Sequence, residues 1–578
     1  MKRKYRRMLL WLVLAVAVKM IFVGSNTDEG YAIELSWRLA KGDRMFLELW
    51  EPHQTSAIFG AVLIRLFWLF SGGSNTGIVL YMHIWGIAIQ FLTAYLLYRV
   101  LKYILGSDME EFAFLSSCVY ALCYPKGVVA PEYSNLHNWF MTGSVLCFIL
   151  FIRYELEVRK ENAVGKKELG ALVISGVFLS GAVLAYPSMV LLYPVMIVLL
   201  CCNLREKRLQ AVLALTVPCL LLGGLFIGYL FSYMTLEQIN QGVSYVFRDG
   251  AHTVGPLAEI GEIFQQILLY IFRSGICYGV ARTGIFFLRK KISIEMDKRL
   301  MRVSACFAAL AVAFVWQAGI WLFRDEFVNQ PQTELFFLCV LSVLLFLDSK
   351  KEVADRLLFY LVIFSTAGFV AAILLSNFMF TELVGYLSLG AVGGAGMLYR
   401  KGKDIFQKPE QRDFWEKMAL LIMSFWVIVL SFGRVWVTSQ GGELHTTPIE
   451  IRNIQRSGPG IGILTNYMTG HRYNTIAEEW PGLVQDGEAL LYVGPSSFYY
   501  VFGDVVISAP NTISTPVYDE MMLDYWKMHP ERYPDVVFVE SCYGEIMYDE
   551  EDFIMKWLDT EYNASSVQDL EYIRVYRK

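Results

Sequence analysis

The chain has 578 residues and a formal net charge of −4, and 55% of its residues are hydrophobic. Soluble domains contain about 45–50% apolar residues, and the excess here lies in long uninterrupted apolar stretches, with a mean hydropathy of +0.43. These values exclude an ordinary soluble domain and predict a polytopic membrane protein. Its basic residues cluster at the ends of the apolar stretches and give no support to nucleic-acid binding.

The first predicted element is a membrane span over residues 8–23, preceded by a basic N-terminal segment. This segment lacks a convincing small-residue cleavage site, so we expect a retained signal anchor. Two adjacent carboxylates, Asp28 and Glu29, follow directly after the span. Acidic residues at a membrane boundary are costly to hold near hydrocarbon and are often retained for chemistry, although a pair of solvated loop charges is the simpler alternative.

Further apolar stretches bring the predicted number of spans to about 13. They cover residues 77–101, 111–124, 136–152, 168–185, 188–202, 209–232, 262–288, 302–323, 332–348, 356–375, 378–399 and 416–437. The apolar segment 55–71 carries Arg65 and ends in a Ser/Gly-rich run, which is typical of a helix lying in the interface. If this segment does not cross, Lys and Arg concentrate on the side of the N-terminus, as the positive-inside rule requires. If it crosses, the bias is lost.

This topology predicts an integral, multi-pass plasma (cytoplasmic) membrane protein with a cytoplasmic N-terminus. Residues 24–76 become one large outer loop, and the chain after Thr438 lies on the same outer side. That tail is polar, with helical patterns between short β-like runs at 460–464, 489–493, 505–508, 535–540 and 572–576. We therefore predict a mainly α protein: a helical membrane bundle with interfacial helices over residues 1–438, and a small extracytoplasmic α/β domain over residues 439–578.

The first outer loop carries a sequence pattern of its own. Asp28, Glu29 and Tyr31 follow the first span, a Lys-Gly-Asp turn ends at Asp43, and an aromatic segment with Pro52 precedes the interfacial helix. This order and spacing, over roughly residues 1–155, resembles the GT-C glycosyltransferases that use polyprenyl-phosphate sugars. Protein mannosyltransferases and aminoarabinose transferases belong to this group.

The resemblance implies a membrane glycosyltransferase. Its donor would be a polyprenyl-phosphate-linked sugar held in the membrane lipid, and its acceptor a glycan, lipid or protein of the cell envelope. Asp28 would be the base that takes the acceptor's proton, and Glu29 its neighbour. In the same loop, Tyr31, Asp43 and His53 become candidates for substrate binding.

The second outer loop would face the first, and it offers Lys126, Glu132, Asn135 and His137. Lys126 could meet the carrier phosphate as a point charge. The alternatives are structural: Glu132 could cap the helix that begins near Ser134, and His137 could be an ordinary interfacial residue. The family's acidic pair is not reproduced cleanly at this place. The sequence therefore neither assigns nor excludes a bound divalent metal, and it assigns no cofactor.

For the carrier phosphate, the later segments supply two competing arginines. Arg248 lies in the predicted outer loop 232–261, and Arg273 lies in the outer half of the following span. A guanidinium group binds phosphate oxygens in a bidentate manner.

Two other classes of function stay open. One is a transporter or flippase of lipid-linked sugars, which would need polar groups along a path through the membrane. The other is a non-catalytic membrane scaffold.

Overall fold

The computed structural model describes most of the chain. The described residues are 3–124, 129–158, 166–204, 207–246, 256–292, 298–323, 332–347, 352–374, 384–406, 408–441, 443–494, 497–511, 519–542, 545–546, 548–549, 551–562 and 566–578. Within them the fold is mainly helical up to Trp436 and contains both strands and helices beyond it.

The helices of the first part are numbered α1 to α16 in chain order. They are Arg3–Phe22, Thr27–Lys41, Ala57–Ser71, Ile78–Leu105, Glu110–Leu122, Tyr133–Val158, Lys166–Ala185, Leu192–Asn203, Arg208–Phe231, Leu236–Val246, Pro256–Ile292, Lys298–Phe323, Gln332–Leu347, Val353–Leu374, Ser388–Ile405 and Pro409–Trp436.

Seven stretches of helix in the described residues are long and apolar enough to cross a membrane, which fits a multi-pass membrane protein. They lie in α4, α6, α7, α9, α11, α14 and α16. Other predicted spans fall on shorter helices: the stretch 111–124, for example, forms the 13-residue helix α5. The predicted number of 13 spans is therefore not confirmed.

Two helices occupy the predicted first outer loop, α2 and α3, and they pack closely against each other. Gly60 of α3 makes this approach possible, since a Cβ atom there would lie only 2.0 Å from Oγ of Ser36 in α2. Arg65 donates a hydrogen bond from Nε to the carbonyl oxygen of Ala40 at 3.1 Å. The segment predicted to be an interfacial helix thus forms a helix, and it is anchored to α2.

The tail contains a mixed sheet flanked by helices. The sheet has six strands: β6 (Ala489–Val493), β7 (Val506–Ile507), β8 (Val536–Cys542), β9 (Glu545–Ile546), β10 (Val567–Asp569) and β11 (Ile573–Arg577). Five of them lie in the order β10-β11-β8-β6-β7, and β9 pairs antiparallel with the end of β8. Strand β6 pairs in parallel with β7 and β8, and β11 pairs antiparallel with β8. All five residues of β6 are buried. The sheet and the helices α17 (Tyr467–Leu483), α18 (Asp519–Met528) and α19 (Phe553–Glu561) confirm a small C-terminal sheet domain.

A small second sheet joins the end of α1 to the start of the tail. Strand β1 (Ser25–Asn26) pairs in parallel with β2 (Thr438–Gly441), which pairs antiparallel with β3 (Glu443–Thr446). A hairpin of β4 (Ile451–Ile454) and β5 (Leu464–Asn466) follows, and Gly24 donates its N–H to the carbonyl oxygen of Leu464 at 3.0 Å. The sequence predicted a strand over 460–464, but the observed strand β5 begins only at Leu464. The start of the predicted run is instead a single 3-10 turn over Gly458–Gly460. These pairings fix the point at which α2 begins.

Candidate active site

The two adjacent carboxylates occupy the first turn of α2, where the helix dipole favours negative charge. Asp28 is partly exposed, whereas Glu29 is 4% exposed. Successive helical residues point about 100° apart, so the two side chains face different surroundings. One carboxylate is thus accessible from outside the protein and the other is enclosed by it.

Glu29 is held by two partners from distant parts of the chain. Its Oε1 accepts the backbone N–H of Ala130 at 2.9 Å, and its Oε2 lies 3.0 Å from Nε2 of His83 in α4. Nδ1 of His83 donates to the carbonyl oxygen of Ile21 at 2.8 Å, and this bond orients the ring so that Nε2 lies next to Glu29. Burial acts to raise the pKa of Glu29, but the attraction of His83 and the backbone N–H groups holds that pKa below its usual value. Glu29 is a fixed, ionised group.

A glycine in α4 lets the second loop reach Glu29. A Cβ atom at Gly86 would lie 1.8 Å from the carbonyl oxygen of Val129, so the segment that contains Ala130 passes directly over this glycine. The sequence reasoning missed both His83 and Gly86. A histidine within an apolar span is itself a signal of function, and it could have identified His83.

Aromatic rings lie beside Asp28. Tyr133, the first residue of α6, is close enough to interact electrostatically with Asp28, Glu132, Tyr31 and Tyr386. The ring of His53 stacks on Tyr133, with centroids 3.7 Å apart and an interplanar angle of 4°. Of the residues predicted to form the site, the structure therefore brings Asp28, Tyr31, His53 and Glu132 into one neighbourhood.

Further rings extend this cluster beyond the predicted residues. His137 lies 5.0 Å from Tyr186 and 4.6 Å from Tyr386, measured between ring centroids. The hydroxyl of Tyr31 donates to Oε2 of Glu51 at 2.9 Å. The sequence reasoning did not select Tyr186, Tyr386 or Glu51, and only the position of Tyr186 directly before a proline set it apart in sequence.

The candidates of the second loop hold the start of α6 in place. Glu132 accepts backbone N–H groups from Ser134 at 2.9 Å and Asn135 at 2.7 Å, and it also accepts the Ser134 hydroxyl. Asn135 donates from Nδ2 to the carbonyl oxygen of Ala130 at 2.9 Å, and His137 donates from Nδ1 to that of Tyr133 at 2.8 Å. The hydrogen bonds of Glu132 support a role in capping the N-terminal end of α6.

Asp43 lies at the contact between α2 and the tail. Its carboxylate lies 2.8 Å from Nε of Arg38 and 2.7 Å from a terminal nitrogen of Arg532. Burial acts to raise the pKa of Asp43, but the two guanidinium groups hold it below its usual range. These ion pairs favour a role for Asp43 in joining the two parts of the protein.

Three candidates for the carrier phosphate remain. Two of them, Lys126 and Arg248, lie outside the described residues. Arg273 lies over the ring of Tyr270, 4.9 Å from its centroid, on α11, which packs against α12 and α13. Within the described part of the chain, no group of three or more His, Cys, Asp or Glu side chains is arranged to hold a metal ion.

No family model matches the sequence, and no curated protein matches it. Among solved structures, the chain is similar to the Archaeoglobus fulgidus oligosaccharyltransferase in complex with Zn and sulfate, with 11% identity over 92% of this chain and 67% of that chain and a TM-score of 0.47. The same enzyme tethered to an acceptor peptide with the NVT sequon gives 11% identity, 93% and 69% coverage and a TM-score of 0.45. The archaeal oligosaccharyltransferase AglB with an inhibitory peptide and a dolichol-phosphate gives the same values.

Proposed function

We propose that the protein is a membrane glycosyltransferase of the GT-C type, which moves a sugar from a polyprenyl-phosphate carrier to a cell-envelope acceptor on the outer face of the membrane. The observation that carries the proposal is the contrast between the two carboxylates at the start of α2. Glu29 is locked by His83 and Ala130, whereas Asp28 is partly exposed beside Tyr133. A fixed charge next to an accessible base is an arrangement that suits proton transfer.

In the proposed reaction, an oxygen of the acceptor attacks the anomeric carbon of the sugar and transfers its proton to a carboxylate oxygen of Asp28. The bond between the anomeric carbon and the phosphate oxygen breaks, and its electron pair leaves with the polyprenyl phosphate. Tyr31 and His53, which lie in the same neighbourhood, contact the sugar or the acceptor. Arg273, or one of Lys126 and Arg248, binds the carrier phosphate.

The topology belongs to the same proposal. Residues 1–438 form the transferase domain with 13 spans and a cytoplasmic N-terminus, and residues 439–578 form an extracytoplasmic domain above the outer loops. The contact of Asp43 with Arg532 supports this arrangement, since it attaches the tail to the loop that follows α2, the helix that carries Asp28.

The test is transfer from synthetic polyprenyl-phosphate sugars by the full-length protein in liposomes. Asp28→Asn is expected to lower the transfer rate by at least about 100-fold, which is the usual contribution of a general base, with an unchanged unfolding temperature. Asp486→Asn, which removes an exposed carboxylate from the tail, is the matched control and keeps full activity. Full activity of Asp28→Asn would contradict the mechanism. Movement of the donor across the bilayer without transfer would identify a flippase instead.

A further inference from the structure

A second feature of the membrane part stands apart from the Asp28 neighbourhood. A cavity of about 110 Å³ lies between α5, α12, α13, α15 and α16 and opens in part to the surface. Apolar side chains form nearly all of its lining, together with the indole rings of Trp415 and Trp426. Among the described residues of this lining, none is Lys, Arg or His. An anionic headgroup such as a phosphate would therefore meet no counter-charge there.

One acidic side chain faces this apolar space. Glu334 of α13 lines the cavity, is 3% exposed, and has no hydrogen-bond partner for either carboxyl oxygen among the described residues. The hydroxyl of Ser116, which lines the same cavity and is 2% exposed, also has none within the part of the chain that the structure describes. Buried polar groups in proteins almost always have partners, so two such groups facing one cavity indicate a missing ligand.

The polar and apolar ends of the cavity can be located from helix contacts. Phe346, at the opposite end of α13 from Glu334, stacks on Phe359 of α14, and Leu358 of α14 packs on Gly396 of α15. Glu334 therefore lies toward the Ser388 end of α15. Trp415 lies at the other end, where its indole N–H donates to the carbonyl oxygen of Tyr399 at 3.2 Å. Tyr399 follows Ser388 by 11 residues along α15, which corresponds to about 16 Å of helix.

We infer that this cavity binds a single-chain lipid alcohol, with the hydroxyl hydrogen-bonded to Glu334 and the chain directed toward Trp415. A carboxyl group without a partner is costly in an apolar interior, and a hydroxyl can both donate a hydrogen bond to it and accept one from it. A neutral hydroxyl therefore satisfies the carboxyl group of Glu334 without bringing a further charge into the cavity. The inference does not rest on the proposed sugar transfer, and the two can fail separately.

The test uses quenching of tryptophan fluorescence in the full-length protein in liposomes, with ω-bromo-undecanol as the probe. Bromine at the end of the chain is expected to quench Trp415, the quenching saturates, and unlabelled undecanol reverses it while undecanoate does not. Trp415→Phe removes most of the saturable signal. Trp11→Phe, which removes a 71% exposed ring on α1, leaves that signal unchanged.

Two variants of Glu334 identify the polar contact. Glu334→Leu is expected to weaken binding of the probe about tenfold, the equivalent of one hydrogen bond, and Glu334→Gln keeps the affinity because an amide also donates and accepts. Quenching that never saturates would mean simple partition into the bilayer and would overturn the inference. If undecylamine displaces the probe better than undecanol and Glu334→Gln abolishes binding, the site recognises a cation and the assignment to an alcohol is wrong.

Discussion

One peptide bond separates a partly exposed carboxylate from a buried one at the start of α2. Glu29 faces α4 and the segment at Ala130, and both of its oxygens have partners there. Asp28 is partly exposed and lies close enough to Tyr133 to interact with it electrostatically. At the scale of single residues, the surroundings distinguish two nearly identical groups: Glu29 stabilises the junction, and Asp28 stays partly exposed.

The fixed state of Glu29 predicts a pH dependence of stability. Its pKa in the folded protein lies below its usual value of 4.5, so the folded state favours the ionised form. The contribution of the Glu29 carboxylate to the stability of the folded protein is complete above about pH 4.5, and it is lost as the pH falls through the folded-state pKa. Unfolding measured across this acidic range should show a smaller loss of stability in Glu29→Gln than in the wild type.

The matched control for this measurement is Glu237→Gln, which removes an exposed carboxylate from α10. Its pH profile should follow that of the wild type. Equal slopes for Glu29→Gln and the wild type would show that His83 and Ala130 do not stabilise the carboxylate.

At the scale of the elements, α2 is positioned by contacts on several sides. Helix α3 approaches through Gly60, and the short helix Ser497–Phe502 of the tail packs against α2 at Gly30, where a Cβ atom would lie 3.1 Å from Phe498. The ion pairs of Asp43 hold the far end of the helix. The helix that carries Asp28 is therefore placed by residues from both parts of the chain.

The contact at Gly86 gives a prediction at this scale. Gly86→Ala places a methyl group against the backbone of Val129, which cannot rotate away, so the segment must shift and withdraw the Ala130 N–H from Glu29. We expect a loss of about 1–3 kcal/mol in the free energy of unfolding, together with reduced transfer. Gly223→Ala in α9 is the control, because no heavy atom lies within 4 Å of its added methyl group. Equal stability of Gly86→Ala and the wild type would contradict the packing.

Local signals predicted much of the fold. Strand β6 covers the β-like run that the sequence indicated at 489–493, and helix α18 lies between the runs at 505–508 and 535–540. A short apolar run and a helical pattern can both be read within a few residues. The partners of Glu29 could not be read in this way. Ala130 is 101 residues away in the chain, and nothing in the local pattern of α4 pairs His83 with α2. A capping role of Glu132 could be stated as an alternative from the sequence, but the hydrogen bonds that support it are visible only in the structure.

At the scale of the whole molecule, the proposed topology puts the tail and the cytoplasmic loops on opposite sides. A membrane-impermeant maleimide should label Asp486→Cys in intact cells and should label Asp413→Cys only after the membrane is permeabilised. Both positions are exposed in the structure, so a difference in labelling reports the side of the membrane and not burial. The background for both variants lacks Cys201 and Cys202, the exposed cysteines among the described side chains, and also lacks Cys542 of the tail. Labelling of both positions in intact cells would contradict the topology.

The parallel pairing of β1 with β2 also bears on when the site can exist during synthesis. Ser25 and Asn26 pair with Gln440 and Gly441, and Nζ of Lys19 donates to the carbonyl oxygen of Arg434, 415 residues later in the chain. The ribosome must therefore add the whole membrane part before the first acidic turn is fixed in place. Long-range contacts of this kind form late. In a nascent chain Asp28 is therefore made long before the contacts that place it, and these contacts are complete only when synthesis has passed Gly441.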